Sequence, residues 1–241
     1  MTLFRSAPVR RLGALAGTIA SLTVLFAGPV RARTIEDSQL WLSTTALVDV
    51  SKDVFFLTQV QVRYLDDMSR NAQNIILPPI LGYRITPDLS ISAGYGYTDL
   101  PQVEGPNEHE NRLFQEVGYR IGKAGPGVLD TYVRFEQRFR SDGRDTAYRI
   151  RSRLRYKLPL QRVRVADQPV TVVGSIEPMA YLNTTDWGPR RGFDQFRTYA
   201  GVEVPLSRRL RLDAAYTNMI FEGGANDQLN HIAAVGLVLR L

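Results

Sequence analysis

The 241-residue sequence predicts an all-β protein: an antiparallel, up-and-down transmembrane β-barrel of ten to twelve strands, twelve favoured, around a polar lumen rich in Arg and Glu. Three observations carry this expectation. From Gln39 onward apolar and polar residues alternate at period two, in segments of about ten to thirteen residues. The links between segments tend to alternate between short and long. The first 32 residues have the layout of an export signal.

The N-terminal layout is tripartite. Arg5, Arg10 and Arg11 form a basic start, Leu12 to Phe26 is apolar or small, and Ala27 to Ala32 offers short residues before a cut after Ala32. The apolar run is shorter than the roughly 20 residues a membrane-spanning helix needs. The expected organisation is therefore a cleaved signal peptide over 1–32 and a barrel domain over 33–241. No later stretch holds eighteen consecutive apolar residues, so a mature chain in a membrane has to cross it with strands. Only a closed barrel then satisfies every strand backbone group.

The strands are read in order. Candidates lie at 40–49, 54–65 and 75–85, and the clearest alternation follows at 89–98. There Leu89, Ile91, Ala93, Tyr95 and Tyr97 share one face, and Ser90, Ser92, Gly94, Gly96 and Thr98 the other. The pattern continues at 112–121, 129–139, 148–158, 170–182, 196–206, 210–220 and 229–241. Eleven segments result, against the even number usual in bacterial single-chain barrels. Short links (Val50–Asp53, Thr86–Asp88, Gly122–Gly127, Pro205–Arg209) are expected at the inner end, and longer ones at the outer end. Ser141–Asp145 is short for an outer loop, and Pro159–Gln168 long for an inner turn. With the longer loops outside, Tyr64, Tyr97, Phe139, Tyr148, Phe196 and Tyr216 fall toward outer strand ends, and Tyr83, Tyr119 and Tyr156 toward inner ends. That is the girdle pattern of rings seated among lipid headgroups.

Composition removes several classes. The chain has no cysteine, which excludes a disulfide scaffold and thiolate metal sites. Losing residues 1–32, with their four arginines and no acid, lowers the formal net charge from +6 to +2. A nearly neutral mature chain gives no support to nucleic-acid binding. No cofactor is expected. Gly122–Gly127 reads as a turn, and no His pair stands at ligand spacing.

The segments Asn107–Ile121, Thr131–Arg140, Tyr148–Leu160 and Thr185–Leu206 resemble an uncharacterised bacterial family known as domain of unknown function twenty-four ninety. The start, Gln39-Leu40-Trp41-Leu42, is similar to that family's opening as well. The resemblance implies an outer-membrane barrel and carries no activity. The last residues, Ala234–Leu241, resemble the C-terminal signal read by the barrel-assembly machinery, with Gly236, Leu239 and Leu241 at matching spacings. Leu241 stands where an aromatic residue is usual. The expected location is the outer membrane. The expected partners are outer-membrane lipid, lipopolysaccharide and the assembly machinery.

The feature richest in chemistry is the polar face of the middle and late strands. It carries Arg112, Arg120, Arg134, Arg138, Arg149, Arg151, Arg153, Arg155, Lys157, Arg197 and Arg211, against Glu116, Glu136, Glu177, Glu203 and Asp213. Facing inward, these form an ion-pair network with surplus positive charge. The network either fills the lumen as a salt-bridged plug or gives anions a path. An outer-leaflet hydrolase acting on lipid or lipopolysaccharide is the alternative. It would need a nucleophile such as Ser69 or Ser141 beside His109 or His231, the latter with Asp227 nearby. No motif joins these residues. A soluble periplasmic barrel that binds a ligand is a third reading.

Overall fold

The computed structural model describes residues 34–221 and 227–241; the expected signal peptide lies outside the described residues. Eleven strands are present among the described residues: β1 (Ile35–Asp49), β2 (Val54–Leu65), β3 (Arg70–Arg84), β4 (Leu89–Leu100), β5 (Glu108–Ala124), β6 (Gly127–Arg140), β7 (Ala147–Val165), β8 (Gln168–Tyr181), β9 (Gly192–Pro205), β10 (Leu210–Phe221) and β11 (Gln228–Arg240). Each pairs antiparallel with the next, and β1 pairs with β11 to close the barrel. An odd number of alternating strands brings the first and last together running the same way. The closing pair is accordingly parallel, from Ile35 opposite Gln228 to Leu47 opposite Arg240. This corrects two expectations, the favoured twelve strands and a wholly antiparallel sheet. The segment seen as 40–49 is a full strand that starts at Ile35.

Local chemistry explains the irregular links. The long stretch Pro159–Gln168 is mostly strand: β7 runs on to Val165, and only Ala166 and Asp167 turn. Both have positive φ, 49° and 61°, as a two-residue turn between twisted antiparallel strands requires. The links at this turn end span two to four residues, and those at the loop end four to ten. In β3 the pair Pro78-Pro79 cannot donate to the ladder, and the register slips there against both neighbours. The slip changes which parity faces inward: Ile75 is buried before it, Ile80 after it. Period two therefore fails across 75–85.

The two faces of the barrel invert the order of a soluble protein. Outward residues are large, apolar and open: Val133 is 50% exposed and Tyr119 49%, with Leu113, Val117, Ile150, Leu154 and Ile176 alike. Inward residues mix charge with packing. Glu136 is 0% exposed, and Phe114, Met179 and Ile232 are buried around the same lumen. Trp41, Met219 and Ile232 form a small apolar cluster on the β10–β11–β1 wall.

Candidate functional site: the charged lumen

Antiparallel register builds the site. Strand alternation turns every second residue of β5 to β9 inward, and pairing sets opposite charges across from each other. Arg134 faces Glu116, Arg149 faces Glu136, Arg155 faces Asp130 and Arg197 faces Glu177. Each of these cross-strand positions becomes a contact: Arg134 Nη2 lies 2.6 Å from Glu116, Arg149 Nη2 2.7 Å from Glu136, Arg155 Nε 2.9 Å from Asp130, and Arg197 Nη1 3.7 Å from Glu177.

Glu136 is the hub. Arg149 donates to one of its oxygens through both Nε (2.8 Å) and Nη2 (2.7 Å), and Arg151 Nη1 donates to the other at 3.1 Å. Arg112 stands 3.8 Å away. Arg151 continues to Glu177 through Nη2 at 2.7 Å, and the Tyr132 hydroxyl donates to the same carboxylate. Arg149 also reaches Asp194 at 3.2 Å. Toward the loop end, Glu110 takes hydrogen bonds from Arg112 and Arg138. Toward the turn end, Glu203 takes Lys157 at 2.6 Å and Arg211 at 3.3 Å, while Arg211 also donates to Asp213 at 2.6 Å. Two arginines inside the barrel have no ion-pair partner among the described residues. Arg153 lies over the Tyr132 ring with its Nε unpaired, and Arg63 donates hydrogen bonds to Gln61 and Gln73 and lies over the Trp41 ring.

The predicted ladder shares one wall but divides into several ion-paired groups, the largest around Glu110, Glu136 and Glu177. Arg112, Glu116, Arg134, Glu136, Arg138, Arg149, Arg151, Arg153, Arg155, Glu177, Arg197, Glu203, Arg211 and Asp213 all fall on the lumen wall. Arg120 does not join them. It keeps the inward parity, opposite Asp130, but lies at the turn end of β5, where it is exposed and 3.7 Å from Asp88. The sequence reading missed Glu110, Asp130, Asp194 and Arg63. Asp130 and Arg63 share the inward parity of strands already read, so alternation could have found them. Asp194 lies at a slip in the β8–β9 register, where alternation fails.

At the loop end, two loops clasp each other. Asp186 accepts the backbone N–H groups of Arg144 (3.0 Å) and Asp145 (3.2 Å), and Asp145 accepts that of Asp186 at 3.1 Å. Trp187 Nε1 donates to the Asp145 carbonyl at 2.8 Å. The ring lies against Gly143, where a Cβ would fall 2.3 Å from Trp187 Cδ1. Arg138 and Arg140 lie 5.5 Å from the same ring. The short 141–145 link is thus one half of a two-loop cap. Backbone hydrogen bonds hold the Asp186 carboxyl below its ordinary value.

The serines and histidines do not assemble. Ser141 Oγ accepts the His109 backbone N–H at 2.9 Å, and Ser69 Oγ donates to the Asp66 carbonyl at 2.6 Å. His231 pairs instead with the Tyr216 hydroxyl (2.6 Å at Nδ1) and lies 3.9 Å from Glu36, on the outward wall near the loop end. His109 stacks on Tyr97 with ring centroids 6.0 Å apart.

The fold and lumen define a closed β-barrel with an ion-paired interior. Residues 38–230 match the family described as protein of unknown function (DUF2490), and the chain belongs to that family. It is 34% identical, over 224 residues, to an uncharacterised protein of Methylorubrum extorquens, covering 92% of this chain and 96% of that one. Among solved structures it is similar to the β domain of the Bordetella autotransporter BrkA: TM-score 0.43, 11% identity, 74% of this chain and 81% of that one.

Two predictions follow from the lumen and the cap. Replacing Glu136 with Gln leaves buried Arg149 with Asp194 alone and Arg151 with Glu177 alone, a loss of about 3 kcal/mol. The heat-induced loss of the folded band in detergent should come at clearly lower temperature than for Glu116→Gln, which breaks one half-buried pair. For Asp186 the sign is that of a depressed acid. Its contribution to the clasp is full above the ordinary aspartate pKa of about 3.9 and lost as pH falls through its own lower value. Trp187 fluorescence, recorded in a Trp41→Phe background, should change below that point. In Asp186→Asn that pH-dependent change should be lost.

Proposed function

We propose that the protein is a β-barrel of the bacterial outer membrane, with a lumen closed at rest by its ion pairs and passable to small anions when the central pairs loosen. The observation that carries this is the inversion of the two faces. Large apolar residues stand open on the outer wall while Glu136 and its arginines are buried at the centre. An apolar outer wall suits lipid, and strands that leave no edge meet the backbone demand of a bilayer. Tyr119 and Tyr83 near the turn end, and Phe139, Tyr148 and Tyr216 near the loop end, are exposed as interfacial girdles require. A lumen with unpaired arginines favours anions over cations.

The test starts with fractionation. The protein should be recovered with outer membranes and run as two bands, unboiled and boiled; recovery in the soluble periplasm rejects the proposal. Reconstituted in planar bilayers, the parent should conduct little. Arg151→Gln combined with Arg153→Gln should raise conductance and reduce anion preference. A double variant as closed as the parent removes the path and leaves a structural barrel.

A second reading has one supporting contact. The Tyr216–His231–Glu36 group lies on the outward wall near the loop end. A lipid-modifying hydrolase predicts that overexpression alters the lipid and lipopolysaccharide profile, and that His231→Ala abolishes the change. An unchanged profile in both strains removes this reading.

A further inference from the structure

Arg63 has an unusual setting. A guanidinium stays charged at any physiological pH, and in a narrow lumen it needs a counter-charge. The other central arginines have carboxylates, except Arg153. Arg63 has neutral neighbours: Nε donates to Gln61 at 2.8 Å and Nη1 to Gln73 at 2.9 Å. Its Cζ lies 3.7 Å from the centre of the Trp41 ring. Arg197 approaches the same ring at 5.2 Å, and its Nε and Nη2 are occupied by Gln195 and Met219. Two cations thus meet at one aromatic side chain, and among the described residues the carboxylate that pairs with either is Glu177, 3.7 Å from Arg197 and already bonded to Arg151 and Tyr132. Amide oxygens satisfy hydrogen bonds but supply no net charge. Arg63 Nη2 makes no hydrogen bond with the described residues and remains open to the lumen.

We infer that the lumen holds a small monovalent anion beside Arg63, in the space bounded by Arg63, Arg197 and the edge of Trp41. The ring's electron-poor edge tolerates an anion that its face would repel. Trp41 Nε1 is committed to Gln39 Oε1 at 3.0 Å, so the donors to the anion are guanidinium groups. The site takes one charge, lies where β1, β2 and β9 bring Trp41, Arg63 and Arg197 together, is linked to the Glu136 hub through Glu177 and Arg151, and would be the resting place of an anion on the path proposed above. It rests on that reading only for its role; binding itself needs no conduction.

Trp41 gives the test. The chain has two tryptophans, so Trp187→Phe leaves Trp41 as the reporter. In folded, detergent-solubilised protein at constant ionic strength, iodide should quench Trp41 along a saturating curve, and chloride should reverse it. Caesium and acrylamide should quench weakly, because Trp41 is 7% exposed. Adding Arg63→Gln should remove the saturable part, a drop of at least five-fold in quenching at low millimolar iodide. Arg153→Gln, on a different wall, should keep it. If Arg63→Gln does not fold, Arg63→Lys serves, with weakened but saturable quenching expected. Linear iodide quenching no stronger than acrylamide, saturable quenching that survives Arg63→Gln, or saturable quenching undiminished in Arg63→Lys overturns the site. Saturable binding in a barrel that never conducts would leave the site standing and reject the path.

Discussion

Thirteen consecutive residue pairs join β1 to β11, and every other element of the barrel relies on them. A sheet of eleven strands left open would present two edges of unpaired N–H and C=O groups, each costly in a medium without water. Closure removes both edges and turns the sheet's two faces into an inside and an outside. The outward face can then be apolar without aggregation if it meets lipid, and the inward face can hold charge because neighbouring strands supply the counter-charge. The parallel sense of the seam is the geometric result of an odd strand count.

Once closed, the lumen is too narrow for its long side chains to remain independent. Cross-strand register sets carboxylates beside guanidiniums from β5 round to β10, and the arginine fork lets one carboxylate serve two or three partners. Glu136 and Glu177 are shared in this way. Sharing economises on acid and leaves a positive surplus that is not spread evenly. It appears at Arg153, which leans on the Tyr132 ring, and at Arg63, which leans on Trp41. Aromatic faces soften an unpaired guanidinium by about 0.5–2 kcal/mol, less than a charged partner can supply. The interior is therefore stable at its hub and electrostatically incomplete beside it.

The loop end adds a second level of control. The Asp145–Asp186 exchange of backbone hydrogen bonds fastens two loops together and lays Trp187 over Arg138 and Arg140, the arginines nearest that mouth. These arginines in turn reach Glu110 and Glu108. Cap and ladder are thus in contact, so a change in either is felt by the other.

Much of this was legible in the sequence, because strand alternation is a local property. Period two placed Arg149, Arg151, Arg153 and Arg155 on one face of β7 before any partner was known, and the family resemblance carried by Tyr148–Leu160 covered the same strand. Alternation fails where the register slips. Pro78-Pro79 changed the inward parity of β3, and Asp194 entered the lumen at such a slip. Three matters were decided by tertiary structure alone. The strand count and the parallel seam depend on which edges meet. The pairing of Arg151 with both Glu136 and Glu177 depends on the distance across a closed lumen. The isolation of Arg63 is visible only when every neighbour is in place. A sequence records which face a side chain takes, through the geometry of its own strand. Which charges it meets there is set by pairings between strands far apart in the chain, and those exist only once the barrel is closed.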